Sequence, residues 1–130
     1  RNLESVFPNN NVKISLGDWW EPLKRWWGSF DLVVSNPPYI PSDLIGKLEP
    51  VVRNHEPRIA LDGGEDGMNA SKKIIIGASH GLAKGGWLIL EHHYDQSEKI
   101  INFMKEIEME DVFFEKDLHG IKRYAICRKK

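Results

Sequence analysis

The chain holds 130 residues, enough for one domain with a core of its own. Its 41% hydrophobic and 28% charged residues fit a soluble globular protein, and a net charge of −1 supplies no basic tail for nucleic acid. No apolar run is long enough to span a bilayer, no signal-peptide pattern is present, and the one cysteine, Cys127, can form no internal disulfide, which suits a reducing cytoplasm.

Arg1 to Val6 reads as the tail of a helix that breaks at "FPNNN", so the chain is expected to be part of a longer domain. "VKISL" (Val12 to Leu16) has strand character and stops at Gly17-Asp18. Glu21 to Gly28 is a polar, tryptophan-rich connector with one helical turn after Pro22. "FDLVVS" (Phe30 to Ser35) is a near-continuous apolar run, as expected of a strand covered on both faces. Asn36 to Gly67 comes next as a long irregular stretch with Pro37, Pro38, Pro41, Pro50 and Pro57. Loops of that length inside a compact domain are usually functional.

Asn69 can cap a helix that runs to about Leu82, with Ile74, Ile75, Ala78 and Leu82 on one face. Gly85-Gly86 punctuates, and "WLILE" (Trp87 to Glu91) reads as a second buried strand. Ser97 to about Glu108 forms another helix, with Ile100, Ile101, Met104 and Ile107 inward. "DVFFEK" and "RYAICRK" are closing strands joined by a short loop, which makes them an antiparallel pair. Strand, crossover helix and strand predict an α/β protein with a mostly parallel sheet. Ligands in such sheets bind beyond the carboxyl ends of strands, where Asp18, Asn36 and Glu91 would lie.

The tetrapeptide Asn36-Pro37-Pro38-Tyr39 carries the chemistry. Proline lacks an N–H and fixes φ, so the pair ends the strand and stiffens the turn beyond it. Asn36 offers a side-chain carbonyl, Pro37 a main-chain carbonyl, and Tyr39 a flat aromatic face. These groups suit a planar –NH2. Two N–H bonds, one to Asn36 and one to Pro37, would orient the nitrogen and surround its developing positive charge with fixed negative dipoles. The fitting electrophile is the methyl of a sulfonium, and no strong general base is needed.

On these residues the sequence resembles the amino-group methyltransferases that use S-adenosylmethionine. "NPPYIP" followed by "LEPVVRNHEPRIALDGGEDGM" and "GGWLILEHHYDQ" is similar to the release factor glutamine methyltransferases. That resemblance implies a partial Rossmann-like fold, the class I methyltransferase fold, with strand order 3-2-1-4-5-7-6. The chain, residues 1–130, would be the C-terminal portion of one catalytic domain, supplying strands 3 to 7. Strands 1 and 2 and the glycine-rich cofactor turn would be absent. It further implies that Asn36, Pro37, Pro38 and Tyr39 hold a glutamine side-chain amide, with Asn36 also near the sulfonium. Asp18 and Trp19 would lie beside the adenine, where a carboxylate accepts from an exocyclic amine and an indole packs on a purine. The partner would be a peptide chain release factor, and the location cytoplasmic. The N-terminal arm with strand 3 would be left loose, mispaired or docked elsewhere, strand 4 would expose an apolar edge, and the chain alone would neither bind the cofactor well nor turn over.

Other residues receive smaller roles. "IALDGGEDG" carries Asp62, Glu65 and Asp66, which would repel a phosphate though not a cationic ligand; because "RIAL" is brief and the resemblance places the segment after the catalytic loop, it is expected to support that loop. Trp20 is read as possible core, and Trp26 and Trp27 as packing. Glu91 is a candidate site wall. His92 and His93, even with His55 or Cys127, make a poor metal site, because neighbours on a strand face opposite ways, and both are expected to be solvated or supporting. The basic C-terminal residues, Lys122 to Lys130, are read as a solvated edge. Two other functions compete: methylation of adenine in nucleic acid, and a non-catalytic remnant.

Overall fold

The computed structural model describes residues 12–130, so the expected helix at Arg1 to Val6 lies outside the described residues. Four strands form one sheet: β1 (Phe30–Ser35), β2 (Leu82–Glu91), β3 (Glu110–Lys116) and β4 (Lys122–Arg128), in the order β1-β2-β4-β3. β1 runs parallel to β2, and β4 is antiparallel to both β2 and β3. This is the α/β arrangement expected, with the closing pair antiparallel and the spatial order 4-5-7-6.

The helices are α1 (Pro50–His55), α2 (Arg58–Leu61), α3 (Asn69–Gly81) and α4 (Ser97–Glu106). Short 3-10 turns occur at Glu21–Trp26, Ile45–Lys47 and Tyr94–Gln96. Both α3 and α4 follow the sequence pattern. Ile74, Ile75 and Ala78 of α3, and Ile100 and Met104 of α4, are buried against Leu82, Leu88, Leu90, Ala125 and Cys127 of the sheet, and Ile101 of α4 is buried as well. Alternation along each strand sends those sheet residues to the helical face.

Val12 to Leu16 has the alternation of a strand but forms none, and Val12, Ile14 and Leu16 are 47%, 72% and 101% exposed, the loose arm expected of this segment. A period-2 apolar pattern stabilises a strand only when a neighbour takes its backbone hydrogen bonds, and none of the described residues does so here. Two expectations need correction. β1 is covered on one face only. Leu32 and Val34 are 53% and 67% exposed, while Val33 packs on the core. β1 is also an edge strand among the described residues, the apolar edge the sequence led us to expect. Finally, Asn69 does not cap α3. It is the first helical residue, and the Asp66 carboxylate takes the Met68 N–H at 2.9 Å.

The glycine pair does not stop the chain but bends it. β2 begins at Leu82 and passes through Gly85, whose φ of +80° accompanies a register shift against β1. Nor is the basic C-terminal edge merely solvated. Lys122, Arg123 and Arg128 pair with Glu98, Asp117 and Glu110 at 3.6, 3.7 and 3.2 Å, and Lys129 donates to the Leu82 carbonyl at 2.8 Å.

Candidate functional site

β1 ends at Ser35, and the corner begins where its ladder stops. Asn36 is exposed, Pro37 buried, and Pro38 and Tyr39 half-buried. Asn36, Pro37 and Tyr39 line a cleft of about 150 Å³ with Ile40, Ala60 and Leu61. The asparagine therefore faces open space beside the tyrosine.

Residues 61–64 form the back of this corner. Ile40 bridges Asp62 in parallel fashion: the Ile40 N–H donates to the Leu61 carbonyl at 3.0 Å, and the Gly63 N–H to the Ile40 carbonyl at 2.8 Å. The Ser42 N–H donates to the Gly64 carbonyl at 3.0 Å. Asp62 ties the two segments together, because its Oδ1 accepts from Ser42 Oγ at 2.6 Å and from the Gly64 N–H at 3.0 Å. The Ser42 hydroxyl, then the Gly64 N–H and Arg58, hold this carboxyl below the usual carboxylate range. Such hydrogen bonds favour the charged form. "IALDGGEDG" thus forms the backing of the corner, the supporting role expected of it.

Tyr39 is also held from the end of β2. Its hydroxyl donates to Glu91 Oε1 at 3.2 Å, and its carbonyl accepts from Gln96 Nε2 at 3.0 Å. Burial, and next the Glu91 charge, push the phenol above its ordinary value. It stays protonated and can keep donating. Gly67 makes room for this contact. With φ at +70°, a side chain there would be strained, and its Cβ would lie 2.4 Å from both Gln96 Nε2 and the Tyr39 carbonyl.

Asp18 and Trp19 do not reach the site from a strand end, since no strand among the described residues precedes them. They arrive through a turn in which the Glu21 N–H bonds the Asp18 carbonyl at 3.0 Å. They line a cavity of about 440 Å³ shared with Pro38, Asp62, Asn69 and Lys73. Of the proline corner only Pro38 reaches this cavity, whereas Asn36, Pro37 and Tyr39 line the separate cleft of about 150 Å³. Trp20 instead packs inward, against Phe30 and directly over Gly77 of α3. Trp27 stacks on His80 with ring centroids 5.0 Å apart, and Arg25 lies 3.9 Å over the Trp26 ring, so both of those tryptophans pack as expected.

His92 departs from expectation. It is fully buried, because alternation from Leu88 and Leu90 carries position 92 to the core face, a signal the sequence contained. Its Nδ1–H donates to the His93 carbonyl at 2.7 Å, and its Nε2 is buried without a partner among the described residues. Burial is the main reason its imidazole titrates below the ordinary value. His93 lies on the other side, half-exposed, with Nδ1 2.6 Å from Asp95 Oδ1. Among the described residues no three His, Cys, Asp or Glu side chains gather as a metal-holding group. Cys127 is buried, which pushes its thiol up to about 12 and leaves it a poor ligand or nucleophile. No helix among the described residues is long and apolar enough to cross a membrane.

The release factor glutamine methyltransferase of Prochlorococcus marinus is 54% identical to this chain over 126 residues, which is 97% of the chain. Over nearly its whole length the chain is similar to the release factor glutamine methyltransferases. Proteins of the same name from Coxiella burnetii and Caulobacter vibrioides are 42% and 44% identical over 92% and 90% of the chain. The chain spans 43%, 41% and 40% of the lengths of these three methyltransferases. No family model matches it. A solved structure of the E. cuniculi Mtq2–Trm112 complex, described as responsible for methylation of the eRF1 translation termination factor, aligns with a TM-score of 0.48. That alignment has 19% identity and covers 77% of this chain and 51% of the other. Within this chain, the residues that sequence reasoning overlooked are Gln96, Ser42 and Gly77, whose roles depend on partners far away in the chain.

Proposed function

We propose that this chain carries the amide-holding part of an enzyme that methylates the side-chain nitrogen of a glutamine in a peptide chain release factor. The observation that carries this reading is the exposed Asn36 beside Pro37 and Tyr39 at the mouth of a cleft of about 150 Å³. The donor would be S-adenosylmethionine, and the chemistry of the lining groups fits it. Asp18 offers a carboxylate to an adenine amine and Trp19 an indole to its ring, on a cavity of about 440 Å³ that also reaches Pro38. When bound, that cofactor supplies an electrophilic methyl on a positively charged sulfur.

The chain's own residues would do the rest. An amide nitrogen is a poor nucleophile because its lone pair is delocalised into the carbonyl. Asn36 Oδ1 and the Pro37 carbonyl would each accept one N–H, aiming the remaining electron density into the opening. Both dipoles also favour positive charge on the nitrogen as it forms its new bond, and the proton then leaves without a strong base. Orientation of this kind contributes up to ~7–11 kcal/mol in the best model reactions. The loop is built for it. Its prolines fix φ, and hydrogen bonds to residues 61–64 and to Gln96 hold it in place.

We further propose that the chain alone binds the cofactor poorly, since Val12 to Leu16 lacks a strand partner among the described residues and one face of β1 lies open. Cytoplasmic location and the absence of membrane or direct nucleic-acid partners belong to the same reading. Adenine methylation is the second reading, and a net charge of −1 disfavours a duplex substrate. The test is a chimera in which this chain replaces the aligned segment of the Prochlorococcus marinus relative. It should methylate a release factor at a glutamine and leave adenine-containing DNA unmodified. Methylation of DNA alone would overturn the reading, and micromolar cofactor binding by the isolated chain would overturn the second proposal.

A further inference from the structure

We propose that Gln96 is a positioning residue for the proline corner, its carboxamide setting the direction in which Asn36 and the Pro37 carbonyl face the cleft. The catalytic part of this inference rests on the function proposed above, whereas the structural part does not. Gln96 is 3% exposed and uses both ends of its amide. Nε2 donates to the Tyr39 carbonyl at 3.0 Å and to the Asp66 carbonyl at 3.4 Å, and Oε1 accepts the His93 N–H at 3.1 Å. Two donors directed at two carbonyls and one acceptor directed at an N–H is a combination a side-chain amide supplies. An ionised carboxylate has no donor, and a lysine no acceptor.

The geometry transmits this hold to the reacting end. The Tyr39 carbonyl and the Ile40 N–H belong to one peptide plane. Gln96 pins its oxygen, and the Leu61 carbonyl pins its nitrogen at 3.0 Å. Between that plane and Asn36 stand Pro37 and Pro38, whose rings leave only ψ free at each position. Fixing Tyr39 therefore leaves Asn36 few ways to turn. Gln96 is itself anchored, because it leads into α4, whose Ile100, Ile101 and Met104 are buried. Glu91, five residues earlier, holds the hydroxyl of the same tyrosine.

The ionisable groups around Gln96 are already engaged. His93 Nδ1 meets Asp95, the Asp66 carboxylate meets Lys72 at 3.0 Å, Glu91 meets Tyr39, and buried His92 gives its Nδ1–H to the His93 carbonyl. A Gln96→Glu change would thus place the one new titrating group against two carbonyl oxygens. Protonated, that acid keeps one donor and one acceptor. Ionised, it repels both carbonyls, and burial raises the pH at which it ionises. Gln96→Met keeps the length of the side chain and removes the hydrogen bonds at every pH.

The test is amide hydrogen exchange in the full chain, corrected for intrinsic rates, at Ile40, Ser42 and Gly63, with Leu88 in β2 as the reference. Gln96→Met should lose about tenfold or more of the protection at the three loop amides at all pH values, the equivalent of one or more buried hydrogen bonds. Gln96→Glu should match the wild type at acid pH and fall to the Gln96→Met level as pH rises, with Leu88 changing less. If Gln96→Glu follows Gln96→Met at every pH, if both follow the wild type, or if Leu88 loses as much as the loop, the proposal is overturned. In the chimera, Gln96→Glu should show the same pH signature in kcat for methyl transfer, with KM for the release factor moving less. A wild-type chimera that transfers no methyl removes the functional reading, while the exchange measurement still decides whether Gln96 holds the corner.

Discussion

Tyr39 Oη donates to Glu91 Oε1 at 3.2 Å, joining the corner after β1 to the last residue of β2. Two neighbouring strand ends therefore share one tyrosine, and the ring stands fixed beside Asn36. The phenol is pushed up first by burial and then by the Glu91 charge. Replacing Glu91 with Gln removes the second cause and leaves the first. Tyr39 should then titrate at lower pH than in the wild type and still above its ordinary 10.0. NMR titration of ring-labelled tyrosine measures this, and an unmoved Tyr39 resonance would remove Glu91 as its partner.

The Trp20 indole lies on Gly77 so closely that a Cβ there would sit 2.0 Å from Nε1. Gly77→Ala should lift Trp20 off α3 and cost about 1–3 kcal/mol, the usual range for overpacking. Tryptophan emission should shift to the red as the indole meets water. Gly46→Ala is the control, because nothing lies within 4 Å of its Cβ position, and it should change stability by no more than about 0.5 kcal/mol. A urea titration with fluorescence reads both variants.

The contrast between these sites shows what sequence can and cannot carry. The crossover helix α3 was legible because its apolar residues recur at the helical period, and β1 and the Trp87 to Glu91 part of β2 were legible as short apolar runs bounded by turn residues. The closing antiparallel pair was legible from its short connection. The proline corner was legible because its chemistry is local, with acceptor, rigid turn and aromatic face adjacent in the chain. Gln96 and Ser42 were not legible, since each acts on a backbone or carboxylate remote in sequence, and no periodicity reports such a contact. Val12 to Leu16 shows the same limit from the other side: its alternation is genuine, but a strand also requires a neighbour, and the loose arm expected for want of one is what forms. His92 was legible in principle, as the next even step after Leu88 and Leu90.

His92 gives the chain a pH dependence whose sign comes from its burial. The unfolded chain takes up a proton at this imidazole as pH falls through about 6.5, whereas the folded chain resists until lower pH. Stability is thus full above that value and is lost as pH falls. Asp62, Asp66 and Asp117, all held below their ordinary 3.8, extend the loss in the same direction at more acid pH. A His92→Gln chain should show a flatter dependence of the urea midpoint between about pH 7 and 5. Equal slopes in the two chains would show that His92 does not set this limb.

If Asn36 holds the amide that becomes methylated, as proposed, then removing its side chain in the chimera should all but abolish transfer without unfolding the protein. Asn36 is exposed, so Asn36→Ala should leave the urea midpoint within about 0.5 kcal/mol of the parent. Transfer of a labelled methyl group to the release-factor glutamine, located by mass spectrometry, should fall about a hundredfold or more in kcat, the scale of losing one preorganised dipole at a developing charge. An Asn36→Ala chimera that folds and methylates the glutamine at the parent rate would contradict the account.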